Sequence, residues 1–282
     1  MDKMKNILTF DTEDWFHANF EENMHVREFS KSNFRQNMDR IFELCCRNNC
    51  KATFFVLGCI AEQYPDVVKK IVSEGHEVAS HGYSHQLAYS QTYDEFKEDV
   101  SKSIKLLEDV AGVKIHGYRA PSWSIVRKNI NYLKALEELG LTFDASIFPV
   151  KNFLYGIPDA NRDIHRPVVD GEELKLREIP TSVFNIMGKG MGYSGGFYFR
   201  FFPGFFIDYQ SKRTMKKGRP VILYLHPREI DKYEQRITLP PMERFIHYYG
   251  IGQTFKKLDK LTRKYEFTSV SEYLKEIFDR QA

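Results

Sequence analysis

Short apolar runs alternate with amphipathic segments along most of the chain. The apolar runs are bounded by turn residues and predict buried strands at 6–10, 52–57, 77–80, 115–119, 142–146 and 220–225. The segments between them repeat apolar residues at helical spacing and predict helices at 34–48, 65–75, 93–111 and 129–139. Strands that alternate with helices predict an α/β fold with a parallel sheet or barrel, in one domain over residues 1–282.

The pattern breaks between residues 155 and 209, which we interpret as an insertion rich in loops, glycine and aromatic residues. Its Gly-rich stretch, 188–196, lacks the Lys-Ser or Lys-Thr of a phosphate-binding loop and predicts a mobile substrate loop. An aromatic run at 197–207 is followed by basic residues within 212–219. Aromatic rings beside cations are typical of a membrane interface. The alternative, slightly favoured here, places the rings in the core and the basic residues on a solvated helix face.

Composition narrows the class of protein. The 282 residues are 28% charged with a net charge of +3, so no nucleic-acid-binding surface is indicated. The four cysteines lie between residues 45 and 59 and are typical of free thiols in a reducing compartment. No apolar targeting or membrane-spanning run stands out. We therefore expect a cytoplasmic protein with at most weak peripheral contact to the inner membrane.

Three carboxylates follow the first predicted strand in close succession: Asp11, Glu13 and Asp14. In α/β proteins the chemistry gathers at the carboxyl ends of strands. Carboxylates this close repel one another, and a bound cation is the usual remedy. The alternative is a helix N-terminus, where one acid suffices. The cluster therefore predicts a functional site.

Three histidines follow predicted strands in the same way. His81 and His85 come directly after the strand at 77–80, four residues apart. Imidazoles at this spacing can converge on a divalent metal, although two surface histidines in a loop are the alternative. His226 follows the apolar strand at 220–225 and can act as a general acid, since imidazole titrates near neutral pH.

Four motifs in this order resemble the polysaccharide deacetylases, the NodB-type enzymes of carbohydrate esterase family four. They are Thr9–Asp11, Ser80–His85, Tyr118–Pro121 and Leu223–Pro227. Longer segments at 11–16, 118–125 and 226–231 resemble a subgroup from exopolysaccharide and lipid-linked glycan loci. The resemblance implies a distorted (β/α)7 barrel and metal-dependent removal of the N-acetyl group from an amino sugar. The implied substrate is an N-acetylated sugar or glycan, lipid-linked in that subgroup, with acetate as a product.

The resemblance also assigns catalytic roles. Asp11 would be the general base and His226 the general acid. Arg119 would orient Asp11 and hold it ionised. Asp144 is the best match to the aspartate that supports the catalytic histidine in the family.

The implied metal site contains one divalent ion, with His81 and His85 as two of its ligands. Zinc comes first among the candidates, ahead of cobalt, nickel, manganese and iron. Thr12 stands where the commonest family pattern has its metal-binding aspartate, so the third ligand is Glu13 or Asp14. Alternation along a strand places Glu13 on the face of Asp11 and favours it, but Asp14 stays open because the strand can end before that point.

Two other functions remain open. One is an amidase that acts on a small non-sugar amide, such as a cyclic ureide or a polyamine. The insertion favours a larger substrate than that. The other is a non-catalytic glycan-binding protein on the same fold, against which the complete set of motif residues argues.

Overall fold

The computed structural model describes residues 4–17, 32–152, 155–234 and 236–279. The chain divides into two compact units. Unit 1 is drawn from residues 1–52 and 193–282, and unit 2 is residues 53–192. That the whole chain forms one domain stays a prediction. Within the described ranges, every helix is too short or too polar to cross a lipid bilayer.

The described residues form ten α-helices. In chain order these are α1 (Phe34–Arg47), α2 (Gly58–Gln63), α3 (Pro65–Ser73), α4 (Tyr93–Ala111), α5 (Tyr132–Glu138), α6 (Gly196–Phe201), α7 (Gly204–Met215), α8 (Pro241–Tyr248), α9 (Ile251–Lys264) and α10 (Val270–Asp279).

The same residues form twelve strands. In chain order these are β1 (Asn6–Thr12), β2 (Thr53–Val56), β3 (Glu77–Ser80), β4 (Gly117–Tyr118), β5 (Phe143–Asp144), β6 (Val168–Val169), β7 (Glu172–Glu173), β8 (Arg177–Glu178), β9 (Val183–Ile186), β10 (Lys189–Gly192), β11 (Ile222–Leu225) and β12 (Phe267–Thr268).

Unit 1 is built around β1, which pairs in parallel with β11 on one side and with β12 on the other. Every residue of β1 is buried. Its apolar residues, Ile7, Leu8 and Phe10, do not alternate strictly with polar ones, as expected for a strand that is covered on both faces. Its carboxyl end carries Asp11, so the strand's burial places a carboxylate in a largely dry environment.

Unit 2 contains a parallel sheet in the order β2-β3-β4-β5-β8. Its longest helix, α4, begins with a capping box in which Thr92 and Glu95 bond each other's backbone N–H groups. The same helix ends at Gly112, whose φ of 69° is the left-handed conformation that glycine favours. Helix α3 begins at Pro65, as predicted.

A close approach between β4 and β5 depends on Gly117. A Cβ atom at this position would lie 1.9 Å from Cζ of Phe143, which is buried. The missing side chain lets the phenyl ring lie directly against the backbone of β4. Gly117 thereby sets the spacing of the strand that leads into Arg119.

The insertion is more regular than the sequence suggested. The Gly-rich stretch that was predicted as a mobile loop instead forms β10 and the start of α6. Strands β9 and β10 pair antiparallel with Ile186 opposite Lys189, so two residues make the turn. Those residues, Met187 and Gly188, both have positive φ, at 49° and 80°. Two such residues are what a tight hairpin turn requires.

Candidate active site

Asp11 and His226 are brought together by the pairing of two strands in unit 1. Asp11 lies in β1, and His226 follows β11 directly, with Phe10 opposite Leu225 in the parallel register. Nε2 of His226 lies 3.7 Å from Oδ2 of Asp11 and 3.6 Å from Oε1 of Glu13. The imidazole is 18% exposed and both carboxylates are buried. The carboxylates of Asp11 and Glu13 thus face the imidazole of His226 at the carboxyl end of β1.

Glu13, rather than Asp14, is the acid that accompanies Asp11. Both carboxylate oxygens of Asp14 are engaged close by: one accepts from the hydroxyl of Ser32, and the other accepts from the backbone N–H of Trp15 at 2.8 Å. Burial raises the pKa of Asp14 in spite of these bonds. The backbone N–H of Glu13 donates to the carbonyl of Asp11 at 3.0 Å, so the chain turns directly at the end of β1 and the carboxylate of Glu13 faces His226.

A buried glutamate that the sequence analysis did not select holds His226 from its other side. Glu229 lies in the 3-10 turn Pro227–Ile230. Its Oε2 accepts hydrogen bonds from Nδ1 and from the backbone N–H of His226, each at 3.1 Å. Since a carboxylate only accepts, Nδ1 carries a proton and Nε2 is the nitrogen that faces the acids. The spacing of three residues between His226 and Glu229 is the sequence signal that could have found this contact.

The two partners keep each other charged. Burial by itself lowers the pKa of His226, but the negative charge of Glu229 above all raises it to about 9. Burial by itself raises the pKa of Glu229, but the charges of His226 and Arg200 outweigh it and hold the value at about 2. At neutral pH the pair is therefore an imidazolium beside a carboxylate.

Arg200 anchors this pair to unit 1. Its Nε donates to Oε1 of Glu229 at 2.7 Å, and both side chains are almost fully buried. Its two terminal nitrogens donate to backbone carbonyls at or just after the end of α8, those of Ile246, His247 and Tyr249. Every hydrogen bond in this chain of contacts is charge-assisted, which makes the orientation of the imidazole strongly determined.

In unit 2, His81 and His85 follow β3 and approach each other. Their ring centroids are 5.4 Å apart in an edge-to-face arrangement, and both residues are buried. His85 has a φ of 64°, a left-handed conformation that turns its side chain back toward His81. The arrangement matches the sequence prediction that the two imidazoles converge.

The tautomer of His81 is set by a backbone carbonyl. Strands β3 and β4 are parallel with Ser80 opposite Tyr118, so the next residues, His81 and Arg119, are also neighbours. Nδ1 of His81 lies 2.7 Å from the carbonyl oxygen of Arg119. A carbonyl only accepts, so Nδ1 carries the proton and Nε2 presents the lone pair. A second-sphere hydrogen bond of this kind is typical of metal-binding histidines.

The loop that carries the two histidines is supported from α4. Asp99 accepts a hydrogen bond from the backbone N–H of Tyr83 at 2.9 Å, and Ser103 donates to the carbonyl of Gly82 at 3.0 Å. Burial raises the pKa of Asp99. These two supporting residues carry no motif signal in the sequence, because they lie on a helix about 20 residues further along the chain.

Arg119 is fully buried in unit 2. Its Nε donates to the carbonyl of Ala145 at 3.2 Å, and its guanidinium carbon lies 4.1 Å from the centroid of the Phe55 ring. An arginine is rarely buried unless its charge has a specific use. The structure thus gives Arg119 a rigid setting between β4 and the segment after β5.

Asp144 lies in β5 and organises that same segment. Its Oδ1 accepts from the hydroxyl of Ser146 at 2.6 Å, and the Ser146 hydroxyl accepts from the backbone N–H of Ala120 at 2.8 Å. Glu178 lies beside Asp144, and both are fully buried. Burial and the charge of Asp144 raise the pKa of Glu178 well above its ordinary range, so Glu178 keeps its proton and donates a hydrogen bond to Asp144. Support of His226 by Asp144 stays a prediction, while Glu229 contacts its Nδ1 directly.

Comparison with known protein families gives two adjoining matches. The family described as polysaccharide deacetylase matches residues 2–143. A domain of unknown function, DUF3473, matches residues 145–275. The boundary between them falls at β5, next to Asp144.

Two curated proteins and one solved structure illustrate the similarity. A peptidoglycan-N-acetylglucosamine deacetylase of Bacillus cereus is 33% identical over 93 residues, which cover 33% of this chain and 34% of the relative. A peptidoglycan deacetylase of Helicobacter pylori is 29% identical over 154 residues, which cover 51% of this chain and 52% of the relative. The chain thus spans between a third and about half of the length of these relatives.

The solved structure is that of a polysaccharide deacetylase candidate from Mycobacterium smegmatis. It aligns with a TM-score of 0.62 at 16% identity and covers 100% of this chain and 93% of its own. At this identity the likeness concerns the fold alone. It confirms the α/β fold of the NodB type that the sequence analysis predicted.

Proposed function

Since the chain belongs to the polysaccharide deacetylase family, we propose that it is a metal-dependent hydrolase that removes the N-acetyl group from an amino sugar in a glycan or glycan precursor. The observation that carries the proposal is the group at the end of β1, where His226 faces Asp11 and Glu13. A proton donor beside a proton acceptor is what hydrolysis of an amide requires.

The proposed metal ligands are His81, His85 and Glu13. The donor set is consistent with a divalent ion, because the Nδ1 hydrogen bond leaves Nε2 of His81 as its coordinating nitrogen. Two imidazoles and one carboxylate suit zinc first, and cobalt, nickel, manganese or iron as alternatives. When bound, such an ion polarises the acetamide carbonyl and makes an attacking water more acidic.

We assign the base to Asp11. Its carboxylate takes a proton from the water that attacks the carbonyl carbon. Arg119 is assigned to keep Asp11 ionised, the role that the family resemblance implies. Glu13 lies at the same strand end as Asp11 but is assigned as a metal ligand, so one acid acts as the base and the other holds the metal.

We assign the acid to His226. Its Nε2 proton passes to the amide nitrogen as the carbon–nitrogen bond breaks, and the products are acetate and a free amino sugar. Glu229 is assigned the support of this histidine, because it fixes the ring and stabilises the imidazolium that must exist before transfer. Both nitrogens of the ring therefore have defined partners.

The test is acetate release by the purified protein. The panel comprises N-acetylglucosamine oligomers, peptidoglycan fragments and nucleotide-linked or polyprenyl-linked N-acetyl sugars, the last two because of the subgroup resemblance. An acetylated polyamine and a cyclic ureide represent the small-amide alternative; ring opening of the ureide releases no acetate and is followed by loss of the intact ureide. We expect acetate from an amino-sugar substrate, and loss of activity by about 10²–10⁴-fold in Asp11→Asn and in His226→Ala.

His116→Ala serves as a matched control, because His116 is an exposed histidine outside the site. It should keep the wild-type rate. Turnover of only the small amides would favour the alternative amidase. Binding of the glycans without any turnover would favour the non-catalytic alternative and contradict the proposal.

A further inference from the structure

Helices α7 and α9 of unit 1 enclose a groove of about 690 Å³. Six of its lining residues define what we name the lysine groove: Phe205 from α7, and Lys256, Lys257, Lys260, Leu261 and Lys264 from α9. Among the described residues that line the groove, Asp208 is the one acidic residue. The groove is thus strongly cationic with apolar walls.

The positive charge is concentrated on one helix face. Lys256, Lys260 and Lys264 are spaced four residues apart, so their side chains lie on the same side of α9. Like charges at this spacing repel each other and disfavour the helix. Helices α7 and α9 together contain seven basic and two acidic residues, a net charge of +5, whereas the whole chain carries only +3. The acidic residues of these two helices therefore offset only part of their positive charge.

Two of the four lysines have structural partners and two do not. Lys257 donates to the carbonyls of Phe199, Arg200 and Phe202, at 2.8–3.1 Å. Lys264 forms a 2.6 Å ion pair with Asp208. Lys256 and Lys260 are exposed, and neither forms an ion pair with any residue that the structure describes. These two ammonium groups are available to an anionic ligand.

One exposed aromatic ring, that of Phe205, lines the groove beside these lysines, and a second exposed ring, that of Phe201, belongs to the same aromatic run. Phe205 is 77% exposed and Phe201 45% exposed, whereas Phe199 and Ile207 of the same run are buried. Some rings of the run therefore pack in the core of unit 1 and others lie on its surface. Each of the two alternatives drawn from the sequence, rings in the core and rings at an interface, applies to part of the run. A large apolar ring this exposed is unfavourable in water and gains by transfer to an apolar phase.

We propose that the lysine groove is a docking surface for an anionic phospholipid membrane. Lys256 and Lys260 contact lipid phosphates, and Phe205 enters the interface between headgroups and acyl chains. The argument is charge complementarity together with an exposed ring at the same rim, the combination by which amphipathic surfaces bind anionic bilayers. A nucleic-acid duplex would match the lysines, but its bases are already stacked on one another and would leave the ring without an apolar environment, so the membrane is favoured.

Vesicle flotation of the full chain tests the proposal. Vesicles of phosphatidylcholine mixed with phosphatidylglycerol should carry the protein at an ionic strength of about 0.01 M, and vesicles of phosphatidylcholine alone should not. At about 1 M salt the binding should disappear, since the Debye length falls from about 30 Å to about 3 Å. Lys256→Gln combined with Lys260→Gln should lower the partition coefficient roughly 25-fold, because each lysine contributes about a factor of five. Phe205→Ser should lower it about tenfold.

Lys69→Gln combined with Lys105→Gln is the matched control. It removes the same charge from exposed positions on α3 and α4, outside the groove, and should float like the wild type. Equal flotation of the groove variants and the wild type, absence of flotation at low salt, or preferential binding of a short DNA duplex would each overturn the proposal. Flotation does not measure deacetylation, so its outcome is independent of the proposed reaction.

Discussion

Glu229 Oε2 lies 3.1 Å from Nδ1 of His226, and this contact fixes which ring nitrogen faces Asp11. Replacement of Glu229 by Gln removes the charge but keeps the shape. We expect kcat to fall by about 10²-fold with little change in KM, because the imidazolium loses its stabilising partner before proton transfer. Steady-state kinetics on the substrate found by acetate release measure both constants.

Glu234→Gln is the control for this variant. Glu234 is another buried acid of unit 1, and it accepts two hydrogen bonds from Arg228. Its replacement should destabilise the fold in a similar way while it leaves kcat much less affected. Equal losses of kcat in the two variants would mean that Glu229 acts only through stability.

The two histidines after β3 should determine metal content. His81→Ala combined with His85→Ala removes both imidazoles and should leave less than one-tenth of the metal, because a single carboxylate is a weak site for a transition metal. Elemental analysis of the purified protein measures the ratio of metal to chain. His116→Ala should retain full metal, and a double variant that does the same would rule out this site.

Glu13 and Asp14 should respond differently to removal of their charge. Glu13→Gln should weaken metal affinity by more than the roughly 10–100-fold typical of an outer-sphere partner. Asp14→Asn should keep the metal, since the Asp14 oxygens bond Ser32 and the N–H of Trp15. Isothermal titration with zinc distinguishes the two. A stronger loss in Asp14→Asn would exchange their roles.

The buried pair of Asp144 and Glu178 predicts a pH-dependent stability. Burial first, and then the charge of Asp144, raise the pKa of Glu178 well above its ordinary value of about 4.3. The folded state therefore binds more protons than the unfolded chain above that pH. It follows that the free energy of unfolding decreases as the pH rises from about 4.3 toward the raised pKa of the folded state.

Glu178→Gln should flatten this part of the stability profile, because glutamine stays neutral and can still donate to Asp144. Urea denaturation at several pH values measures the effect. Glu173→Gln, at an exposed position in β7, should leave the profile unchanged. A profile in Glu178→Gln as steep as that of the wild type would show that Glu178 ionises normally.

Gly117 should not tolerate a side chain. In Gly117→Ala the new Cβ would fall 1.9 Å from the ring of Phe143, so the two strands must separate or the ring must move. Overpacking of this kind typically costs about 1–3 kcal/mol. Gly252→Ala is the control, because nothing lies within 4 Å of a Cβ there. Chemical denaturation should show a large loss for the first variant and none for the second.

Most of the longer strands and the alternation of strands with helices could be predicted from the sequence, because burial on both faces leaves apolar runs. Strand β1 was predicted at 6–10 and extends to Thr12. The extended strand ends in a tight turn, closed by a hydrogen bond from the N–H of Glu13 to the carbonyl of Asp11, and after this turn Glu13 faces His226. Hydrophobicity alone did not show this extension, since the added residues, Asp11 and Thr12, are polar but buried.

Two other parts of the structure had no such hydrophobic pattern in the sequence. Glu229 follows His226 within a 3-10 turn, where the relevant spacing is three residues rather than a strand or helix repeat. The hairpin of β9 and β10 was missed because a methionine, Met187, occupies a turn position where glycine or asparagine is usual. In both places the conformation of a few residues, and not their hydrophobicity, decides the structure.

The hydrogen bond that orients His81 ends on the main chain of Arg119, not on its side chain. Arg119 therefore contributes in two ways, through its backbone carbonyl and through its charged side chain, and mutation can separate the two. Any replacement of the guanidinium leaves the carbonyl in place, so the imidazole keeps its tautomer while the positive charge is lost. Genetic variation at this codon therefore tests the guanidinium, with its charge and its contacts to Ala145 and Phe55, and not the tautomer of His81. Only a change in the path of the backbone, such as a shift of register between β3 and β4, could remove both at once.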